Sequence, residues 1–140
     1  MSALPPALGG ERFEFESPAG RLSCYVAGQG APLLLVHSVN AAASAAEVRP
    51  LYEHWQAART VFAVDLPGYG LSDRSDRAYT PRLMTDALHA TLEQIQQRCG
   101  KAPVDALAVS LGCEFLARAA VEAPARVRRL ALVSPTGFNG

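Results

Sequence analysis

Hydrophobic positions change their period along this chain. Phe13 and Phe15 alternate with Arg12, Glu14 and Glu16, Ser17-Pro18-Ala19-Gly20 has turn chemistry, and Leu22, Cys24 and Val26 resume the alternation. A period of two on both sides of a short turn predicts an antiparallel hairpin with one face buried. The alternation then gives way to unbroken apolar runs. These are Pro32-Leu33-Leu34-Leu35-Val36-His37, Val61-Phe62-Ala63-Val64, Val104 to Val109 interrupted by Asp105, and Leu130-Ala131-Leu132-Val133. Short runs without alternation suit parallel strands covered on both faces by helices.

Between the runs the period lengthens to that of a helix. Val48, Leu51, Tyr52 and Trp55 share one face, with Ser44 and Glu47 spaced as a capping box and Pro50 leaving the start open. Thr80-Pro81 reads as an N-cap followed by proline at the first helical position; Met84, Leu88, Leu92 and Ile95 line one face, and Gly100 closes the helix. A third helix is expected from about Leu111 to Ala123, before Pro124. Strand and helix in alternation predict an α/β fold: a mostly parallel sheet with an N-terminal antiparallel hairpin and helices on both faces.

Composition narrows the class. The chain has 140 residues, 49% hydrophobic and 19% charged, which is globular and of a size that buries a core. Thirteen basic residues balance thirteen acidic ones, which argues against a nucleic-acid partner. No apolar run approaches the ~18 residues of a membrane span, and the start lacks the pattern of a secretory signal. The scattered Cys24, Cys99 and Cys113 read as reduced thiols of a cytoplasmic protein, with neither a disulfide framework nor a metal site.

The segment Val104 to Glu114 carries the strongest chemical signal. An apolar strand runs into Ser110, a helix follows at once, and small residues, Ala108 and Gly112, stand two positions to either side. A nucleophilic serine on a sharp strand-to-helix turn needs that arrangement, because only small neighbours let strand and helix approach so closely. The helix N-terminus behind it offers backbone N–H groups to an oxyanion. The competing assignment is a helix N-cap, a common role for serine. In the catalytic reading the loop after the third strand, His37-Ser38-Val39-Asn40, donates the second oxyanion N–H from Val39 or Ser38, while His37 orders the loop. Gly68-Tyr69-Gly70 and Gly28-Gln29-Gly30 are wrongly placed for a nucleotide site, and no cofactor is expected.

The runs "LLLVHS", "VDLPGYGLSDR", "ALAVSLGCEF" and "VRRLALVSPTGF" together resemble the α/β-hydrolase superfamily, in that family's order and across nearly the whole chain. The resemblance implies that Ser110 is the nucleophile, that Leu111 donates one oxyanion N–H and the Ser38–Val39 loop the other, and that Asp65 organises the loop after the fourth strand. Ser38 stands where the family most often has glycine, and Ala108 stands for the first elbow glycine. In this fold acid and histidine follow the serine in the chain, yet His37, His54 and His89 all precede Ser110, and the carboxylates beyond it are Glu114 and Glu122. Residues 1–140 are therefore expected to be a single α/β-hydrolase-like domain truncated after the sixth strand, the N-terminal portion of an esterase-like serine hydrolase with little activity alone. A non-catalytic hydrolase-like binding module is the rival. The expected partners are a small ester-like substrate, if the site is completed, and self-association or a complementing chain at the sixth strand.

Overall fold

A computed structural model describes residues 7–39, 43–75 and 78–133. Six strands form one sheet in the order β1-β2-β4-β3-β5-β6. They are β1 (Glu11–Ser17), β2 (Gly20–Ala27), β3 (Pro32–Val36), β4 (Thr60–Asp65), β5 (Val104–Val109) and β6 (Val127–Val133). The hairpin forms as the alternation predicts, antiparallel from Glu11 opposite Val26 to Ser17 opposite Gly20. One expectation needs correction: β2 buries both faces, Ser23 and Tyr25 as fully as Leu22 and Cys24. β1 and β4 flank it, each antiparallel to it, while Cys24 packs with Leu92 and Ile95 on one face and Tyr25 with Val48 and Tyr52 on the other, so neither face meets water. The remaining pairs, β4 with β3, β3 with β5 and β5 with β6, are parallel.

The unbroken apolar runs are explained by two cores, one on each face. Along β3, Leu34 and Val36 join Phe62, Val64, Leu88, Leu92, Ile95 and Leu116 on one side. Leu33 and Leu35 join Val48, Tyr52, Val61 and Ala63 on the other. Successive side chains of a strand point to opposite faces, so a strand serving two cores is apolar at every position.

The helices are α1 (Arg49–Trp55), α2 (Pro81–Cys99) and α3 (Gly112–Glu122), and a 3-10 turn (Ala45–Val48) leads into α1. Thr80 caps α2 as its sequence predicts, accepting the Leu83 N–H at 3.1 Å, with Pro81 opening the first turn. Ser44 caps the 3-10 turn through the Ala46 N–H, but the capping box does not form, because Glu47 turns to other donors described below.

Asp105, which interrupts the apolar run of β5, sits against Arg59 at 2.6 Å and takes both guanidinium nitrogens of Arg128 at 3.0 and 2.8 Å. Hydrogen bonds from Arg128, then Arg59, outweigh desolvation and hold its carboxyl down at about 2. This ion cluster ties β5 to β6 and to the residue preceding β4 at the edge of the sheet opposite Ser110. On β6 itself Leu130, Leu132 and Val133 remain 38–42% exposed.

Candidate active site

Ser110 follows β5 directly and precedes α3 by one residue. Its φ is +54°, and it is the only non-glycine residue with positive φ among the described residues. A side chain in that region costs roughly 1–2 kcal/mol, so the rest of the turn must hold it there. The Ser110 N–H donates to the Val133 carbonyl at 2.8 Å, and the Ser110 carbonyl accepts the Cys113 N–H at 3.0 Å. The Cys113 thiol donates to the Ala108 carbonyl at 3.2 Å, closing the turn from the helix side.

The two small neighbours have different reasons. A Cβ added to Gly112 would lie 2.3 Å from the His37 carbonyl oxygen, so only glycine lets the start of α3 rest on the end of β3. Ala108 is fully buried, and its methyl group is accommodated in the main core.

The N-cap assignment for Ser110 does not hold. The cap position is Leu111, and no side chain caps α3. Among the described residues nothing accepts the Leu111 N–H, and nothing bonds the Ser110 hydroxyl. Both groups stand at the positive end of α3, where an anion is favoured.

The loop that follows β3 starts at this turn, where the His37 carbonyl faces Gly112. His37 is fully buried and bridges two loops: its Nε2 accepts the Leu66 N–H at 3.0 Å, so its Nδ1–H donates to the Ser38 carbonyl at 2.5 Å. Burial pushes its pKa down, keeping it neutral. The Ser38 N–H donates to Glu47 Oε1 and the Ser38 hydroxyl to Oε2, each at 2.6 Å. Of the two N–H groups read as alternatives in this loop, Ser38's is thus committed to a carboxylate. Nothing described accepts that of Val39. Asn40 lies outside the described residues.

Asp65, at the end of β4, accepts the Ala45 N–H at 2.8 Å and the Leu71 N–H at 3.1 Å. Gly70 is packed so closely that a Cβ there would fall 2.2 Å from the carboxyl group. Ser72 completes the link, donating to the Asp65 carbonyl at 2.6 Å and accepting the Ser23 N–H at 2.8 Å. Asp65 orders its loop in this structure, as the resemblance implies.

The other histidines lie elsewhere. His54 is exposed on α1, its ring edge-on to Trp55 at 5.1 Å. His89 Nε2 meets Glu122 Oε1 at 2.7 Å, and Arg82 holds the other oxygen at 2.9 Å. The His89 hydrogen bond, aided by Arg82, lowers the Glu122 pKa. Sequence reasoning missed this histidine–carboxylate pair, because its members stand on different helices with no local signal between them. Glu122 ends α3, and at about 1.5 Å rise per residue it lies on the order of 15 Å from the helix start beside Ser110. The pair cannot reach that serine.

Among the described residues no group of three His, Cys, Asp or Glu side chains could hold a metal ion, and no helix is long and apolar enough to cross a membrane.

Comparison with known proteins places this geometry. The family described as alpha/beta hydrolase fold matches residues 31–139. A curated relative, the abhydrolase domain-containing protein abhd-5.2 of Caenorhabditis elegans, is 27% identical over 77% of this chain and 24% of its own length. An alpha/beta hydrolase fold protein from Burkholderia ambifaria superposes with a TM-score of 0.78 at 25% identity, covering 91% of this chain and 45% of the neighbour. An N-formylmaleamic acid deformylase from Pseudomonas putida S16 gives 0.78 at 26% identity, covering 89% and 47%. The chain thus spans about half the length of these solved neighbours and a quarter of that curated relative.

Proposed function

The chain belongs to the alpha/beta hydrolase fold family, and from that membership we propose that it is the nucleophile-bearing N-terminal portion of a serine hydrolase acting on ester-like acyl compounds. The observation that carries this reading is the left-handed backbone at Ser110. A fold keeps a side chain in such a conformation when the residue is needed there, and no capping bond accounts for it.

Ser110 Oγ adds to the acyl carbonyl carbon, its proton passes to a base, and the carbonyl oxygen becomes an oxyanion. The Leu111 and Val39 N–H groups receive that oxyanion. The oxyanion collapses and the C–O bond to the alcohol breaks as the base returns the proton to the leaving oxygen; water then gives a proton to the base, adds to the acyl carbon, and releases the acid as Ser110 Oγ takes the proton back. Residues 111–140 hold no histidine, so added imidazole can stand in for the base.

A second reading keeps the same fold as a hydrolase-like binding module, with Ser110 not acting as a nucleophile. Chemical rescue separates the two. Added imidazole is predicted to raise hydrolysis of p-nitrophenyl acetate by the wild-type chain above the buffer reaction with imidazole, and to do nothing in Ser110→Ala. Equal rates for both proteins favour the binding module.

A further inference from the structure

We propose that Glu47 is a positioning residue for the oxyanion loop, clamping Ser38 so that Val39 presents its N–H to the reacting oxygen. This inference rests on the reading of Ser110 as a nucleophile.

One carboxylate takes both donors of Ser38, the N–H through Oε1 and the hydroxyl through Oε2, each at 2.6 Å. Both bonds are at the short end for their type, as charge-assisted bonds are. On the other side of the same residue, His37 Nδ1–H holds the Ser38 carbonyl at 2.5 Å. The Leu66 N–H occupies His37 Nε2, which fixes the tautomer that donates.

Those contacts fix two successive peptide planes. The Ser38 N–H belongs to the plane before its Cα, and the Ser38 carbonyl to the plane after it. Holding both sets φ and ψ at Ser38. The second plane also carries the Val39 N–H, which in a trans peptide points away from the Ser38 carbonyl. The direction of that donor is therefore set by His37 and Glu47 together.

The serine gives the clamp its third point. A glycine at this position would offer the carboxylate only an N–H, whereas Ser38 adds a hydroxyl. Ser38 itself is 3% exposed, so its polar groups need a partner, and Glu47 reaches in from the exposed 3-10 turn to supply it. That demand explains why Glu47 leaves the capping box that its spacing from Ser44 suggests.

The test uses the full chain, labelled with nitrogen-15. The Ser38 amide proton should resonate downfield, as a proton in a short bond to a carboxylate does. Glu47→Gln should move the Ser38 amide upfield, shift the Val39 amide, and slow phosphonylation of Ser110 by a fluorophosphonate probe about tenfold, less than the 100- to 1000-fold loss of a whole oxyanion donor. A Ser38 amide at an ordinary shift in the wild-type chain overturns the clamp, and this readout needs no variant to fold. Unchanged Val39 shift and labelling rate in a folded Glu47→Gln also overturn it. A wild-type chain that resists phosphonylation, while its Ser38 amide resonates downfield and Val39 shifts in Glu47→Gln, overturns the nucleophile reading and leaves the clamp standing.

Discussion

Replacing Ser110 by glycine and by alanine separates a strained nucleophile from a helix cap. Both substitutions remove the hydroxyl, but only glycine adopts a φ of +54° without penalty. Relief of the left-handed conformation is worth roughly 1–2 kcal/mol. Glycine returns about 0.4–1 kcal/mol of that through the greater freedom of the unfolded chain. The net expectation is that Ser110→Gly is more stable than wild type by about 0.5–1 kcal/mol, while Ser110→Ala, as strained as serine, stays within about 0.5 kcal/mol of it. A capping serine predicts a different order: alanine would cost about 1 kcal/mol and glycine a few tenths. Urea unfolding followed by far-UV circular dichroism resolves the two. With a slope of about 2 kcal/mol per molar urea, Ser110→Gly should raise the midpoint by roughly 0.3–0.5 M. A destabilised Ser110→Ala with no gain in Ser110→Gly refutes the argument from strain.

Further outcomes follow from other contacts. Gly112→Ala would place a Cβ 2.3 Å from the His37 carbonyl oxygen, forcing α3 back by about 1 Å; it should destabilise the chain by about 1–3 kcal/mol and slow phosphonylation of Ser110 up to about 100-fold. Asp105→Asn should cost about 2 kcal/mol, from a carboxyl lowered from 3.8 to about 2 by two arginines. Because the folded pKa lies below the unfolded one, that contribution is complete above about pH 4 and disappears as pH falls through about 2; urea melts of wild type and variant across that window should converge. On β6, Leu130, Leu132 and Val133 are 38–42% exposed, an apolar edge that invites strand pairing. Sedimentation velocity should show concentration-dependent association that Leu132→Lys weakens, and a monomer throughout would contradict it.

The sequence was most legible where one physical demand decided each residue. The alternation in β1, the unbroken runs of β3 and β4, and Thr80-Pro81 before α2 each answer a local rule of period or capping, and each element appears where its pattern puts it. The strand-to-helix turn at Ser110 was legible because small residues, Ala108 and Gly112, flank a serine between an apolar strand and a helix, although the contact that demands glycine at 112 is with the distant His37 carbonyl. What escaped depends on partners distant in sequence. Ser23 and Tyr25 are buried because Ser72 and the core of Val48 and Tyr52 close over them, which the hairpin pattern alone cannot indicate. Glu47 had a plausible local partner in Ser44, and only the fold shows that the buried donors of Ser38 take it instead. The His89–Glu122 pair likewise depends on α2 meeting α3.

The central claim, that Ser110 is a nucleophile beside an oxyanion site, is tested most directly by residue-level mass spectrometry after fluorophosphonate treatment with imidazole present. A single adduct on the peptide containing Ser110, absent in Ser110→Ala and unchanged in His89→Ala, is the predicted result. A folded wild-type chain with no adduct at Ser110, or equal labelling of the Ser110→Ala protein, would contradict it.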